Sequence, residues 1–471
     1  MKYIIMFIII VQLVLVIALL ALPPLVRALP GEYRVRLARV PVVETLLEIG
    51  ETTLPRALPA PSRLVERPSI NIPTVQATAT ASPTPALRAD VASGVEVTVP
   101  SKAPESELNK MATAVPPTAT PLPTMIPTPA LRADVASGAE VAVPLPRQAR
   151  IDGLKIIPQG FNNCGPANLI INLNFYGNST TQNEAAALLK PNREDRNVSP
   201  WQIVDYVNEQ TDLRAFVGSG GDLEMIKRFV AAGFPIVVEK GYEPSPKDGW
   251  LGHYLTIFAY DDDKQEFLSM DTNLGPWDGS GRVDSYETID YYWQQFNYTF
   301  WFVYPPEKEG QVLAMLGPEM VDTAVMWQKA AELAQAEIDA NPDNAFAWFN
   351  LGTSLTRLGE MTGEAAYYEN GAAAFDQART IGIPPRIIWY QFRPYIAYMK
   401  IGRYEDMLAL ADTTLSTQGG RNVEETYLYK GHALALTGDG PGAVDAYEQA
   451  LRLNKYFYPA QWALDAITGG S

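Results

Sequence analysis

The sequence predicts an α+β domain followed by an all-α helical-repeat domain, behind an N-terminal transmembrane helix and a disordered proline-rich linker. Three observations predict it. Residues 3–22 are apolar but for Gln12, and residues 54–147 turn to Pro, Thr, Ala, Ser and Val. After Glu307, short β-rich runs give way to helical periodicity. The expected divisions are 1–26, 27–150, 151–306 and 311–471.

The apolar run follows a single Lys2 and is about 20 residues long, roughly the thickness of a bilayer's hydrocarbon core. It passes into Pro23-Pro24 and then Arg27, Arg34, Arg36 and Arg39, not into a small-residue cleavage site. An uncleaved signal anchor is therefore expected. The setting it implies is a single-pass protein of the cell membrane with its C-terminal part outside the cytoplasm, or a secreted one if the segment is cleaved. Those arginines weaken the charge argument for that orientation. In the linker, the stretch 83–94 recurs at 127–138. One recurrence in proline-rich sequence reads as linker expansion, because a packed solenoid needs about three repeats. Such a segment has too little apolar surface to build a core, so a disordered stalk is predicted.

Between Ile156 and Pro305 the aromatics and β-branched residues return. Helices are predicted over 168–176, 201–210 and 221–232, the last started by Asp222 and stopped by Gly233. Strands are predicted over 234–238, 254–260, 266–270 and 300–304, each bounded by Gly, Pro or Asp. Helices first and strands later point to α+β and not to alternating βαβ units.

Beyond Glu307 the pattern is helical to the end. Trp348-x2-Leu351-Gly352-x2-Leu355 is followed by Gly371-x3-Phe375-x2-Ala378, and Gly431, Leu434, Gly438, Ala443, Tyr447 and Ala450 repeat the alternation of small and large residues. These positions resemble tetratricopeptide (TPR) repeats, with an insertion of about seven residues in the first unit against the 34-residue pattern. The resemblance implies a groove for a protein partner. The stretch between Trp389 and Thr414 is irregular.

The chain has 471 residues and a formal net charge of −16. Diffuse acidity argues against a nucleic-acid partner, which needs concentrated Lys and Arg. One cysteine, Cys164, and two histidines, His253 and His432, leave little for a zinc site, and no metal or cofactor is expected. Asp261, Asp262 and Asp263 read as a solvated turn, since they lack the ligand spacing of a calcium loop. Trp277 and the cluster Tyr286, Tyr291, Tyr292 and Trp293 read as aromatic core, with a substrate groove as the alternative.

A lone thiol is either inert packing or a reactive group. Context favours the second. Cys164 lies in Gln159-Gly160-Phe161-Asn162-Asn163-Cys164-Gly165-Pro166-Ala167, where Pro166 suits a first helical turn. Unpaired N–H groups and the positive end of the helix dipole favour a thiolate there. His253, in Gly252-His253-Tyr254, starts a strand, and Asp271 ends the next. If 261–264 makes the turn, the two face each other on adjacent antiparallel strands, and the carboxylate can hold the imidazole while its other nitrogen meets the sulfur.

These residues resemble the C39-like peptidases of the papain-like clan. The resemblance implies an α+β papain-like domain that hydrolyses peptide bonds. It implies Cys164 as nucleophile, His253 as general base, Asp271 as orienting residue and Gln159 as oxyanion donor. Gln159 stands five residues before the cysteine where papain-type enzymes commonly use six, which leaves Asn162 and Asn163 as alternative donors. A catalytically idle peptide-binding module and a thiol acyltransferase remain as rival readings of the same residues.

Overall fold

The computed structural model describes residues 57–63, 68, 70, 72, 145–244 and 249–469, with Gln12 and Tyr33 besides. Gln12 apart, the apolar run at 3–22 lies outside the described residues, and so do both copies of the duplicated stretch. Among the described residues no helix is long and apolar enough to cross a membrane.

Residues 148–304 build a mixed α/β region around one antiparallel sheet. Its strands are β1 (Gln148–Arg150), β2 (Arg214–Gly218), β3 (Ile236–Tyr242), β4 (Leu251–Asp261), β5 (Glu266–Met270), β6 (Arg282–Ser285) and β7 (Phe300–Tyr304). They run in the order β2-β7-β3-β4-β5-β6, and β1 pairs with β4. Side chains alternate across a strand, and both faces here are covered. Ile236 and Val238 of β3, with Phe300 and Phe302 of β7, face one core together with Met225, Ile226 and Phe229 of helix α4 (Leu223–Ala231). Val237, Trp301 and Val303 face a second core. That core is closed by α1 (Cys164–Phe175), α2 (Gln182–Leu189) and α3 (Pro200–Gln210). Burial on both sides is why these strands read as unbroken apolar runs.

The strands over 266–270 and 300–304 occur as predicted, and β4 extends the one predicted over 254–260. Asp261 starts the turn after β4 by accepting from the N–H groups of Asp263 (3.0 Å) and Lys264 (3.3 Å). The sequence reading missed β1, β2, β6 and α2. Helix α5 (Tyr286–Gln294) absorbs the tyrosine cluster, with Tyr286 and Trp293 buried and Tyr291 exposed.

From Glu309 the chain is helical: α6 (Glu309–Val321), α7 (Thr323–Ala340), α8 (Ala345–Thr362), α9 (Ala365–Ile381), α10 (Arg393–Lys400), α11 (Tyr404–Leu415), α12 (Glu424–Leu436), α13 (Gly440–Leu453) and α14 (Tyr458–Thr468). Consecutive helices pack on one another, and the small residues mark where they touch. A Cβ on Gly352 would lie 2.8 Å from the Phe375 ring, and one on Gly431 would lie 2.3 Å from the Tyr447 ring. Helices α8 and α9 are 18 and 17 residues long, with only Gly363 and Glu364 between them.

Two parts of the expected disordered linker are ordered. Residues 148–150 join the sheet, because strand pairing uses backbone groups that composition does not reveal. Residues 57–63 lie against the helical region, with Leu58 buried in its core. The same core takes in Trp250 and Phe296 from the sheet region beside Trp327 and Trp348. Polar contacts cross there as well: Asn350 donates to the Gln294 carbonyl (2.6 Å) and Tyr298 to Glu337 (2.7 Å).

Candidate active site

Cys164 is the first residue of α1 and is partly exposed, with Asn163 before it. The helix opens at Cys164, as its first-turn context predicts, and so begins before the 168–176 span; Gly165 next to it is tightly packed. A Cβ there would come within 3.0 Å of Val198. Two asparagines then tie the helix to the histidine's strand. Asn168 donates to the carbonyls of Cys164 (2.9 Å) and Tyr254 (3.0 Å) and accepts from Thr256 (2.8 Å). One turn on, Asn172 donates to the Thr256 hydroxyl (3.1 Å). Both asparagines are fully buried, and the Asn168 amide, paired at both Nδ2 and Oδ1, fixes the register because leaving it unpaired would be costly.

His253 is the third residue of β4, paired with Lys240 of β3, so it lies within the strand and does not open it. It is 4 % exposed and Asp271, just past β5, is 2 % exposed. His253 Nε2 lies 3.2 Å from Asp271 Oδ1. Tyr242 stacks on the imidazole with ring centroids 4.8 Å apart. Burial opposes a charge on His253, but Asp271 and then Cys164, which also hydrogen-bonds to the ring, outweigh it and raise its pKa to about 9. With Nε2 turned to Asp271, Nδ1 is the ring nitrogen left for the sulfur.

Asp271 is held from every side. Its Oδ1 accepts from the N–H groups of Asn273 and Leu274, each at 2.9 Å, and its Oδ2 accepts from Arg282 Nη1 at 3.0 Å. Burial works against the carboxylate, yet His253, the Leu274 N–H and Arg282 together hold it well below the usual carboxylate range.

Gln159 is buried. Its N–H donates to the Thr272 carbonyl (2.8 Å) and its Oε1 accepts from the Thr272 hydroxyl (2.8 Å), which leaves Nε2 as the end directed elsewhere. Thr272 follows Asp271, so one loop steadies both residues. The alternative donors are engaged: Asn162 Nδ2 donates to the Glu194 carbonyl (3.1 Å) and Asn163 Nδ2 to Gln182 Oε1 (3.1 Å). Gln182 also accepts from the Gly160 N–H (2.7 Å) and donates to the Pro158 carbonyl (3.1 Å), clamping the loop before the cysteine.

Thus Cys164, His253 and Asp271 meet, with Gln159 fixed beside Asp271 through Thr272. His432 is elsewhere, packed against Tyr447 with 2.9 Å between Nδ1 and the hydroxyl. The sequence reading missed Asn168, Asn172, Thr272, Gln182 and Arg282 as supports. The i, i+4 spacing of Asn168 and Asn172 on a largely apolar helix is the available signal. It also missed Tyr390 of the helical region, whose ring would lie 3.1 Å from a Cβ on Gly252, the residue before His253. Burial pushes the Tyr390 hydroxyl up to about 12, with Arg196 opposing and Cys164 adding to the rise.

Residues 141–300, about a third of the chain, match the model of the Peptidase_C39 like family. A solved structure of a candidate C39-like peptidase from Bacillus anthracis is similar over 33% of this chain and 96% of that one. The identity is 14% and the TM-score 0.28. No curated protein matches.

Proposed function

We propose that the sheet region is a cysteine peptidase of the C39-like type that hydrolyses peptide bonds through Cys164, His253 and Asp271. One observation carries this reading: a single imidazole has Asp271 on one side and the thiol of a helix-opening cysteine on the other. His253 acts as general base, taking the proton of the Cys164 thiol as Sγ becomes the nucleophile. Sγ attacks the carbonyl carbon of the substrate, and the oxyanion is met by the Cys164 N–H and Gln159 Nε2. His253 then gives its proton to the leaving amine as the C–N bond breaks. Water, deprotonated by His253, opens the resulting thioester and returns the acid product. Asp271 keeps its charge throughout and holds the ring.

The helix pairs beyond Glu309 are read as TPR-type repeats that bind a protein partner or substrate. Residues 1–26 are read as the membrane anchor, with the folded part outside the cytoplasm.

The test uses the whole chain. A peptidyl thiol-directed probe should label Cys164 stoichiometrically, and a fluorogenic peptide mixture should be cleaved by wild type and not by Cys164→Ser. Equal labelling rates in wild type and His253→Ala would leave a structural thiol. Labelling with transfer to an added amine but no hydrolysis would favour the acyltransferase.

A further inference from the structure

Residues 57–63 reach a buried charge cluster more than three hundred positions away in sequence, and the contact has the form of a recognition site. Arg379 Nε donates to the Pro59 carbonyl (2.8 Å) and its Nη2 to the Ala60 carbonyl (2.9 Å). Asp406 accepts from the Ser62 N–H at 3.0 Å through Oδ1, and from the Ser62 hydroxyl through Oδ2. Arg379 and Asp406 are themselves buried, at 4 % and 1 % exposed. They are held by each other (2.8 Å), by Tyr398 and by Arg403.

The segment suits what the site offers. Pro59 and Pro61 have no N–H to donate, so the guanidinium reads carbonyls and the carboxylate reads the first available donor after the prolines. Leu58 and Pro61 are buried while Ala60, Ser62 and Arg63 are exposed. A three-residue spacing presents one face of an extended polyproline-type peptide. Ala57 touches the surface too, its Cβ 3.9 Å from where a Cβ on Gly382 would lie.

We propose that the helical region carries a peptide-recognition site, built on Arg379 and Asp406, and that residues 57–63 occupy it as an exchangeable intramolecular ligand. Its ligand class is an extended Leu-Pro-x-Pro-Ser peptide. Two buried apolar residues and a few hydrogen bonds make a modest contact, and covalent attachment keeps it filled through a high effective concentration. A partner with such a segment must displace the chain's own. The site stands independently of Cys164.

The test measures fluorescence anisotropy of a labelled peptide, Ala-Leu-Pro-Ala-Pro-Ser-Arg, added to full-length protein. Leu58→Asp/Ser62→Ala should release the internal segment and bind the peptide saturably, at least about tenfold more tightly than wild type. A peptide with alanine for its serine should bind that variant roughly ten- to a hundredfold more weakly. Ser62→Ala alone removes the hydroxyl that donates to Asp406 while leaving Leu58 in place, serves if the double variant misfolds, and should give the same order. No binding to either variant, or equal binding to wild type and variants, would overturn the proposal.

Discussion

The two folded regions each bury a charge cluster, and the clusters differ by one residue type with large consequences. In the sheet region Asp271 stands between Arg282 and an imidazole, and the imidazole's other side meets a thiol. In the helical region Asp376 and Asp406 stand between Arg379 and Arg403. Arg403 Nη2 donates to Asp376 at 3.0 Å and to Asp406 at 2.7 Å. Histidine can give and take a proton near neutral pH. Arginine does not deprotonate in proteins. The first arrangement can therefore do acid–base work. The second can hold shape and offer fixed donors and acceptors to a peptide.

The largest effect that tests this contrast lies at the imidazole. His253→Ala and Asp271→Asn should each lower kcat/KM on a peptide substrate by roughly 10⁴, since each removes or misdirects the proton carrier. A loss under about tenfold, with the fold intact by circular dichroism, would place the chemistry elsewhere.

Next comes the arginine cluster. Arg403→Ala leaves two buried carboxylates short of a partner and should cost about 3–5 kcal/mol in urea unfolding. Turnover per folded molecule should stay near wild type, because nothing in that cluster touches the sulfur. A change below about 1 kcal/mol would mean that water replaces the guanidinium, and the clusters would no longer differ as argued.

The smallest effect is the slope of stability against pH. The pKa of His253 rises from 6.5 to about 9 on folding. Its contribution is complete below about 6.5 and is lost as pH rises through 9. Asp271 shifts the other way, so its contribution is present above the ordinary carboxylate value of about 3.9 and is lost as pH falls. Wild type should lose stability between pH 7 and about 9.5 in denaturant titrations, and His253→Gln should flatten that slope. An unchanged slope would assign it to other groups.

Much of the candidate site could be read in advance because its chemistry demands rare residues. With one cysteine and two histidines in 471 residues, a helix-start context for Cys164 and a strand context for His253 left few combinations. The supports were hidden for the opposite reason. Asn168, Gln182 and Thr272 are ordinary polar residues, and only their partners, 19 to 113 positions away, give them a role. The helical region was legible as periodicity, through Gly352 with Phe375 and Gly431 with Tyr447, but its charge cluster was not. Asp376, Arg379 and Asp406 look like surface residues of amphipathic helices, and Arg403 like a residue of the turn before α11, until the helices are packed.

By itself the sequence determined that a mixed α/β region precedes a helical one, which strands carry an apolar run from burial on both faces, and which thiol and imidazole are the candidates for reaction. These are local properties, set by side-chain pattern and by the rarity of the types involved. Tertiary structure alone decided that residues 148–150 become a strand, that residues 57–63 leave the linker to dock on the helices, and that Trp250 and Phe296 share a core with Trp327 and Trp348. Each of these depends on backbone hydrogen bonds or shape fit between distant segments, and neither leaves a periodic trace in the residues that make it.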